Sequence, residues 1–294
     1  MEYLVKIDNL EKCYDDFSLH ALNLAVEPGA VVGFVGANGA GKTTTLKALL
    51  GIVEPDGGAV ELFGERVTAN SSALDRLKAR IGVVLDTCAF PGTCTVKAVG
   101  TIGRAAYSGW NADVYEELCQ RFDLAPKKKV SELSRGMGMK LTLAFALAHD
   151  PELLVLDEAT AGLDPMAREE VLDLLRAFME DGRHGILMST HITSDLEKIA
   201  DEVVCIDEGT LVFDLPKDAI ADTAGVARCR AAELETVLES GYFGAGETFF
   251  TQHGYHADLL VPDRFAFART FPHIAVERAT IEDYMALRLR GEHR

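Results

Sequence analysis

The stretch of sequence that decides the fold is Gly36-Ala37-Asn38-Gly39-Ala40-Gly41-Lys42-Thr43. An apolar run at 30–35 precedes it and a helix-forming segment that begins at Thr44 follows it, which predicts a buried strand, a glycine-rich turn and a helix. The spacing is G-x-x-x-x-G-K-[ST], in which glycines let backbone N–H groups approach phosphate oxygens. Lys42 can then reach the β- and γ-phosphates, and the hydroxyl of Thr43 can ligate Mg²⁺. The helix N-terminus adds a positive dipole end, so the segment predicts a nucleotide phosphate site.

The composition limits the classes of partner. The chain has 294 residues, with 29 basic and 46 acidic residues and a net charge of −17. This acidic balance argues against broad nucleic-acid binding, which needs a basic surface. The six cysteines are scattered without C-x-x-C spacing, and no signal peptide is evident, which together favour reduced thiols in the cytoplasm. No apolar run is long enough to span a membrane, so any role at a membrane requires a partner.

The apolar pattern predicts three regions. Alternating residues near the N-terminus indicate an antiparallel sheet, and buried strands at 81–85, 153–158 and 185–191 alternate with helices, which favours an α/β sheet with its chemistry at the carboxyl ends of the strands. Residues 88–143 have a helical pattern. Beyond Pro216 we expect a helix at 228–238, two strands within 248–260 and a final helix at 280–289, enough for a small α+β unit.

Polar residues follow two of the buried strands. Asp157 and Glu158 end the strand at 153–158, and His191 ends the strand at 185–191. Asp157 can hold Mg²⁺ opposite Thr43, and Glu158 faces another direction, where it can act as a general base towards water. His191 can contact the γ-phosphate or the attacking water. The alternatives are a solvated acidic strand end and a structural histidine, which the upstream phosphate loop disfavours.

A second anion-binding helix end is predicted at Leu133-Ser134-Arg135-Gly136-Met137, which opens a helix assigned to 139–149. It combines a serine hydroxyl with a glycine that permits close backbone approach. Because the segment lies in the helical region and not beside the phosphate loop, it is expected to cap a nucleotide held by another subunit.

Together these motifs resemble the nucleotide-binding cassette of ABC transporters over residues 3–215. Tyr14 matches the aromatic residue that stacks on adenine in this family, and His191 matches the switch histidine. Three segments match further family motifs: the signature segment at 133–137, Walker B at 153–158 and the D-loop at 161–164, which includes Asp164. The segments 108–111, 190–197 and 276–283 are similar to those of the bacitracin-export and acetoin-utilisation type of cassette.

The resemblance implies an α/β fold with a RecA-like P-loop NTPase core, an N-terminal antiparallel β subdomain and a helical insertion. The domain expected at 1–215 contains this core, with the helical subdomain at about 87–145, and 216–294 is a C-terminal α+β accessory domain. For the accessory domain a dimerisation or regulatory role and a passive cap both remain open.

The implied function is an ATP-hydrolysing transporter subunit. Two copies, identical or related, pair head to tail around two ATP molecules with Mg²⁺, and Ser134, Arg135, Gly136 and Asp164 complete the partner's site. Lys42, Glu158 and His191 are the implied catalytic residues. A separate transmembrane permease docks near 86–110 and holds the protein on the inner face of the cell membrane, with export as the expected direction. The alternatives are a soluble ABC-type ATPase without a transport role and a nucleotide-dependent regulator.

Four positions depart from the family pattern, and one of them is Met137, which replaces a glutamine of the signature segment. Asp86 stands where most cassettes have glutamine, and we expect it to accept from metal-bound water and to make this contact more metal-dependent. Arg135 replaces a glycine of the signature segment, where it either places a cation near the partner's nucleotide or is merely solvated. Ala159 replaces the usual proline after Walker B, which affects local stiffness more than chemistry.

Overall fold

The computed structural model describes residues 3–68, 72–244 and 248–293, so the outer ends of the expected domains, at 1 and 294, lie outside the described residues. The strands, in chain order, are β1 (Val5–Cys13), β2 (Ser18–Val26), β3 (Val31–Val35), β4 (Gly57–Leu62), β5 (Glu65–Val67), β6 (Ile81–Val84), β7 (Leu153–Asp157), β8 (Gly185–Ser189), β9 (Glu202–Asp207), β10 (Thr210–Pro216), β11 (Gly225–Arg230), β12 (Phe249–His253), β13 (His256–Val261), β14 (Ala275–Arg278) and β15 (Glu292–His293). The α-helices, in chain order, are α1 (Lys42–Leu49), α2 (Ser72–Lys78), α3 (Val96–Ala106), α4 (Ala112–Arg121), α5 (Arg135–Leu147), α6 (Pro165–Met179), α7 (Thr193–Ile199), α8 (Ala231–Glu239), α9 (Arg264–Thr270) and α10 (Ile281–Arg290).

The central sheet has the order β10-β9-β3-β8-β7-β6, parallel except for the antiparallel edge strand β10. Every residue of β3, β7 and β8 is buried, because both faces of the sheet are covered. Along β3, Val31 and Val35 face the core shared with the helical insertion, whereas Val32 and Phe34 face the N-terminal sheet. The carboxyl ends of β3, β7 and β8 therefore lie together at one edge.

The N-terminal sheet has the order β2-β1-β4-β5 and is antiparallel throughout, as predicted. Its inward side chains, among them Ile7, Leu22 and Val60, share a core with Phe34 and Leu46. The sheet is thereby fixed against the strand and the helix on either side of the phosphate loop.

The helical insertion consists of α3, α4 and α5. Trp110 packs against Tyr115 and Phe145, with ring centroids 5.2 and 5.1 Å away. The hydroxyl of Tyr115 donates to the carbonyl of Val96 at 2.7 Å and ties α4 to α3. Helix α5 begins at Arg135, four residues before the expected start at 139, so part of the signature segment forms its first turn.

The C-terminal region contains an antiparallel sheet of order β14-β11-β13-β12-β15. The elements β11-α8-β12-β13-α9-β14 have the split β-α-β-β-α-β arrangement of ferredoxin-like folds. The helix predicted over 228–238 is wrong at its start, because Gly225–Arg230 is strand β11. Cys229 is buried between the exposed Arg228 and Arg230, an alternation too short to distinguish from a helix by pattern alone. Helix α9 and strand β14 were not predicted.

Helix α10 connects this sheet to the rest of the chain. Ile281 is fully buried in the core of the helical side, and its N–H donates to Glu197 of α7 at 2.9 Å. Arg288 donates to the carbonyl of Val212 in β10 at 3.0 Å. Thr280 caps the helix by accepting from the N–H of Asp283. None of the helices within the described ranges has the length and apolarity needed to span a bilayer.

Candidate nucleotide-binding site

The phosphate loop requires glycine at two positions. Gly41, which precedes α1, has φ 114°, and a Cβ there would lie 2.7 Å from Leu19 and 2.8 Å from Phe17. A Cβ on Gly36 would lie 2.2 Å from the carbonyl oxygen of Ile206. Side chains at these positions would force the loop away from β2 and β9. The loop therefore keeps a tight path against these two strands, which only glycine permits at the two positions.

Lys42 is held within the loop. Its ammonium donates to the carbonyls of Gly36 and Ala37 at 2.8 and 3.1 Å, and only 8% of the residue is exposed. Burial lowers the pKa of Lys42, while the nearby charges of Glu158 and Asp157 oppose that shift. The ammonium is thus fixed over the loop before any phosphate binds.

A cavity of about 610 Å³ opens in front of the loop. It brings together most of the predicted cofactor-binding and metal-binding residues, and it is lined by Tyr14, Asp16, Phe17, Asn38, Gly39, Gly41, Lys42, Thr43, Thr44, Asp86, Asp157 and Glu158. Tyr14 is 46% exposed, which leaves its ring available for stacking. Three predicted residues, Gly36, Ala37 and Ala40, contribute to the loop without lining the cavity; the carbonyl of Ala40 accepts from Gly209.

The oxygen ligands that Mg²⁺ prefers meet at one end of this cavity. The hydroxyl of Thr43 donates to Asp157 at 3.2 Å, and Asp157 is only 5% exposed. Burial raises the pKa of Asp157, and the like charges of Glu158 and Asp86 act in the same direction, while the nearby hydroxyls of Ser189 and Thr43 oppose them. A cation beside Asp157 would relieve this cost, and hydroxyl and carboxylate oxygens fit a hard divalent ion. The donor set therefore fits Mg²⁺.

Glu158 and His191 form a pair. Nδ1 of His191 lies 2.7 Å from Oε2 of Glu158, so the imidazole donates to the carboxylate. Glu158 has φ 54°, in the left-handed region, and its N–H donates to the carbonyl of Ser189 at 2.8 Å. A non-glycine residue in this conformation costs about 1–3 kcal/mol. The two adjacent carboxylates have different partners, since Asp157 pairs with Thr43 and Glu158 with His191.

The four residues that were expected to complete the partner's site do not line the cavity of their own chain; they are Ser134, Arg135, Gly136 and Asp164. Ser134 accepts from the N–H of Met137 at 3.2 Å and caps α5. Asp164 accepts from the N–H groups of Met166 and Ala167, both at 3.0 Å, and caps α6. Gly136 contacts the loop before α6, where its absent Cβ leaves room for a methyl group of Leu163. These residues form a separate surface, called here the lid surface, consisting of 134–136 and 162–164.

Two residues of the cavity were missed by sequence reasoning. Asp16 and Phe17 lie in the turn between β1 and β2, directly after Tyr14. Phe17 also packs beneath Gly41. Their closeness to Tyr14 in sequence was the available signal, but only the pairing of β1 with β2 shows that the turn reaches the phosphate loop.

The fold and the site define a P-loop nucleotide-binding cassette, and the comparisons identify its family. Residues 19–161 match the family described as ABC transporter. The bacitracin transport ATP-binding protein BcrA of Bacillus licheniformis is 36% identical over 74% of this chain and 71% of that protein. The Nod factor export ATP-binding protein I of Burkholderia pseudomallei is 38% identical over 71% of this chain and 70% of that protein.

Among solved structures, the ATP binding subunit of an ABC transporter aligns with a TM-score of 0.68 at 27% identity, over 74% of this chain and 92% of that chain. The chain belongs to the ABC transporter family and is one of its ATP-binding, ATP-hydrolysing cassettes. The predicted fold and the predicted resemblance to the bacitracin-export type are confirmed.

Proposed function

We propose that this chain powers an exporter by forming a head-to-tail dimer, with an identical or a related cassette, around two ATP molecules. The separation of the lid surface from the cavity carries this proposal. Lys42, Thr43 and Glu158 line a cavity that no residue of 133–137 reaches, although that segment has the composition of a second phosphate-binding helix end. The simplest way to bring such a segment to the open side of the cavity is a second cassette.

Within one cassette, Tyr14 stacks on adenine and residues 36–44 enclose the phosphates. Lys42 contacts the β- and γ-phosphates. Mg²⁺ would be held by Thr43 and Asp157, with Asp86 accepting from its water ligands. When bound, the metal neutralises charge on the phosphate oxygens.

Glu158 is the general base of the proposed hydrolysis. Its carboxylate orients a water molecule near the γ-phosphate and accepts the proton that the water loses. His191 donates from Nδ1 to this carboxylate at 2.7 Å, which orients it, and the rest of the exposed ring remains free to contact the γ-phosphate. Ser134, Gly136 and Asp164 of the second cassette exclude water from the other side.

A separate permease would dock on the helical insertion near 86–110. A cavity of about 360 Å³ lies between α3 and α4, with Trp110 and Tyr115 among its apolar walls and Lys97 and Arg104 among its polar ones. This shape suits an inserted helix end of the permease. Such docking would hold the protein on the cytoplasmic face of the cell membrane. The export function named for the Nod factor relative supports export as the direction.

The variant Glu158→Gln tests the proposal. Loss of the general base should lower ATP hydrolysis by about 10²–10⁴-fold and leave an ATP-bound dimer that light scattering detects. The control is Glu235→Gln, an exposed glutamate of α8, which should hydrolyse ATP at the parent rate. Parent-rate hydrolysis by Glu158→Gln would contradict its assigned role. If ATP hydrolysis does not respond to any co-purified membrane protein, the alternative function of a nucleotide-dependent regulator would be favoured instead.

A further inference from the structure

Arg135 is an unpaired cation on the lid surface. It is the first residue of α5 and is exposed. Within the described ranges, no carboxylate lies within ion-pair distance of its guanidinium. A positive charge at a helix N-terminus is unfavourable, so the electrostatics of α5 do not explain why a cation is present here.

The side chain of Arg135 has a defined resting place. A Cβ added to Gly162 would lie 3.5 Å from Cδ and 3.7 Å from Nε of Arg135, so the arginine lies across the open side of that glycine. Gly162 has φ 78° and leads into Leu163, which contacts Gly136. The guanidinium is therefore kept on the same surface as the Ser134 cap.

The nucleotide cavity has the opposite charge balance. Asp16, Asp86, Asp157 and Glu158 line it, whereas Lys42 is the single basic residue among its described lining residues. Mg²⁺ would offset two of these charges, but ATP would bring four more. The half-site formed by one chain therefore carries a surplus of negative charge near the phosphates, where a low dielectric makes such repulsion strong.

We propose that Arg135 of one subunit supplies a cation to the partner's cavity, where it contacts the terminal phosphate of the bound nucleoside triphosphate and offsets the charge of Asp86. This inference rests on the proposed head-to-tail dimer. An arginine fork suits phosphate oxygens because it donates two parallel hydrogen bonds. The contact makes closure of the dimer selective for a triphosphate, since a diphosphate has no oxygens at the position that Arg135 reaches.

The test measures dimerisation of the full-length chain in the Glu158→Gln background by analytical ultracentrifugation, with ATP·Mg²⁺ or ADP·Mg²⁺. Arg135→Ala and Arg135→Gln should each weaken the ATP-driven dimer about tenfold, and Arg135→Lys should retain most of its affinity. The dependence on salt should also become shallower in the two neutral variants. Lys127→Ala, another exposed cation of the helical insertion, is the matched control and should behave like its parent.

The glutamine variant separates charge from packing. Glutamine keeps much of the stem that lies across Gly162, so a packing role predicts that Arg135→Gln dimerises like the parent, which would overturn the proposal. Thermal unfolding of the monomer should show no loss of stability in any Arg135 variant, because the residue is exposed and its charge is unfavourable at a helix N-terminus.

A double-mutant cycle tests the link to Asp86. If Arg135 offsets Asp86 across the interface, Arg135→Ala should weaken dimerisation less in an Asp86→Asn background than alone. Additive effects would overturn this part of the proposal. If Glu158→Gln never dimerises with ATP, the proposed function fails; if it dimerises and the Arg135 variants match Lys127→Ala, this inference alone fails.

Discussion

Helices α1 and α5 both begin with a glycine-containing turn that suits an anion, yet their N-termini differ. Helix α1 follows Gly41, and no side chain accepts from its first N–H groups. Helix α5 follows Ser134, whose hydroxyl accepts from Met137 at 3.2 Å. Lys42 is 8% exposed and held by two carbonyls, whereas Arg135 is exposed and has no charged partner within the described ranges.

The difference concerns the state of each site before a ligand arrives. The first N–H groups of α1 have no side-chain cap, so a phosphate can accept from them without displacing one. At α5 the Ser134 hydroxyl already satisfies one N–H group, and a phosphate must compete with that bond. We infer that the first site binds nucleotide unaided, while the second engages only when dimerisation brings a nucleotide to it. The predictions below test this contrast.

The largest effect is expected at Lys42. Lys42→Ala removes a charge-assisted contact to the phosphates, and such contacts contribute about 1.5–3 kcal/mol, so ATP affinity of the monomer should fall up to about a hundredfold. Isothermal titration calorimetry measures this loss. Lys47→Ala, an exposed lysine of the same helix, is the control and should bind ATP like the parent. Equal affinities for the two variants would contradict the enclosed role of Lys42.

The two glycines should respond unequally to alanine. Gly41→Ala places a Cβ at φ 114° against Leu19 and Phe17, which should lower the free energy of unfolding by about 2 kcal/mol or more. Gly136→Ala gains helix propensity and meets only a methyl end of Leu163 at 2.9 Å, so the change should stay within about 1 kcal/mol. Urea denaturation of both variants decides the matter, and similar losses would remove the contrast between the two turns.

Ser134→Ala should have two separable effects. Loss of the cap should lower the free energy of unfolding by about 1 kcal/mol, and loss of the hydroxyl should weaken the ATP-driven dimer while ATP binding to the monomer is unchanged. Thr95→Ala is the matched control, because Thr95 caps α3 by accepting from Ala98 at 3.2 Å. It should show the stability loss alone. A dimer equally weakened by Thr95→Ala would mean that the lid effect is only structural.

The smallest effect concerns pH and lies away from both helix starts. Burial lowers the pKa of His149, whose Nε2 donates to Ile81 at 3.2 Å. Because the folded-state pKa lies below the unfolded value of about 6.5, the unfolded chain binds more protons, and stability is lost as pH falls below that value. Thermal unfolding from pH 7.5 to 5.5 should show a smaller decline for His149→Gln than for the parent. If the thermal stability of the variant and of the parent falls equally with pH, His149 is excluded as a source of acid sensitivity. ATP binding at Lys42 should be the same in both proteins.

Local patterns were sufficient where one element carries the information. The strand and helix predicted on either side of 36–43 agree with β3 and α1. Strand β11 was mistaken for helix because its short alternating run adjoins a true helix, and tertiary pairing with β13 and β14 decides its state. Asp16 and Phe17 were not predicted as site residues because the sequence of a turn does not indicate which distant segment the turn contacts.

The chemistry of each motif could be read directly from residue type and spacing. Glycines with Lys42 and Thr43 imply phosphate and metal, and paired carboxylates after a buried strand imply a metal ligand and a base. These rules are local, because they depend on bond geometry and on what a side chain can donate or accept.

The distribution of these motifs over two surfaces required the folded chain. Strand β3 lies between β9 and β8, with β7 beyond β8, and this order brings the phosphate loop to Glu158 and His191. The same fold places Ser134 and Arg135 beside Gly162 and Leu163, on a surface that does not line the cavity. Strand order and helix packing depend on burial summed over residues far apart in sequence, which no single motif contains.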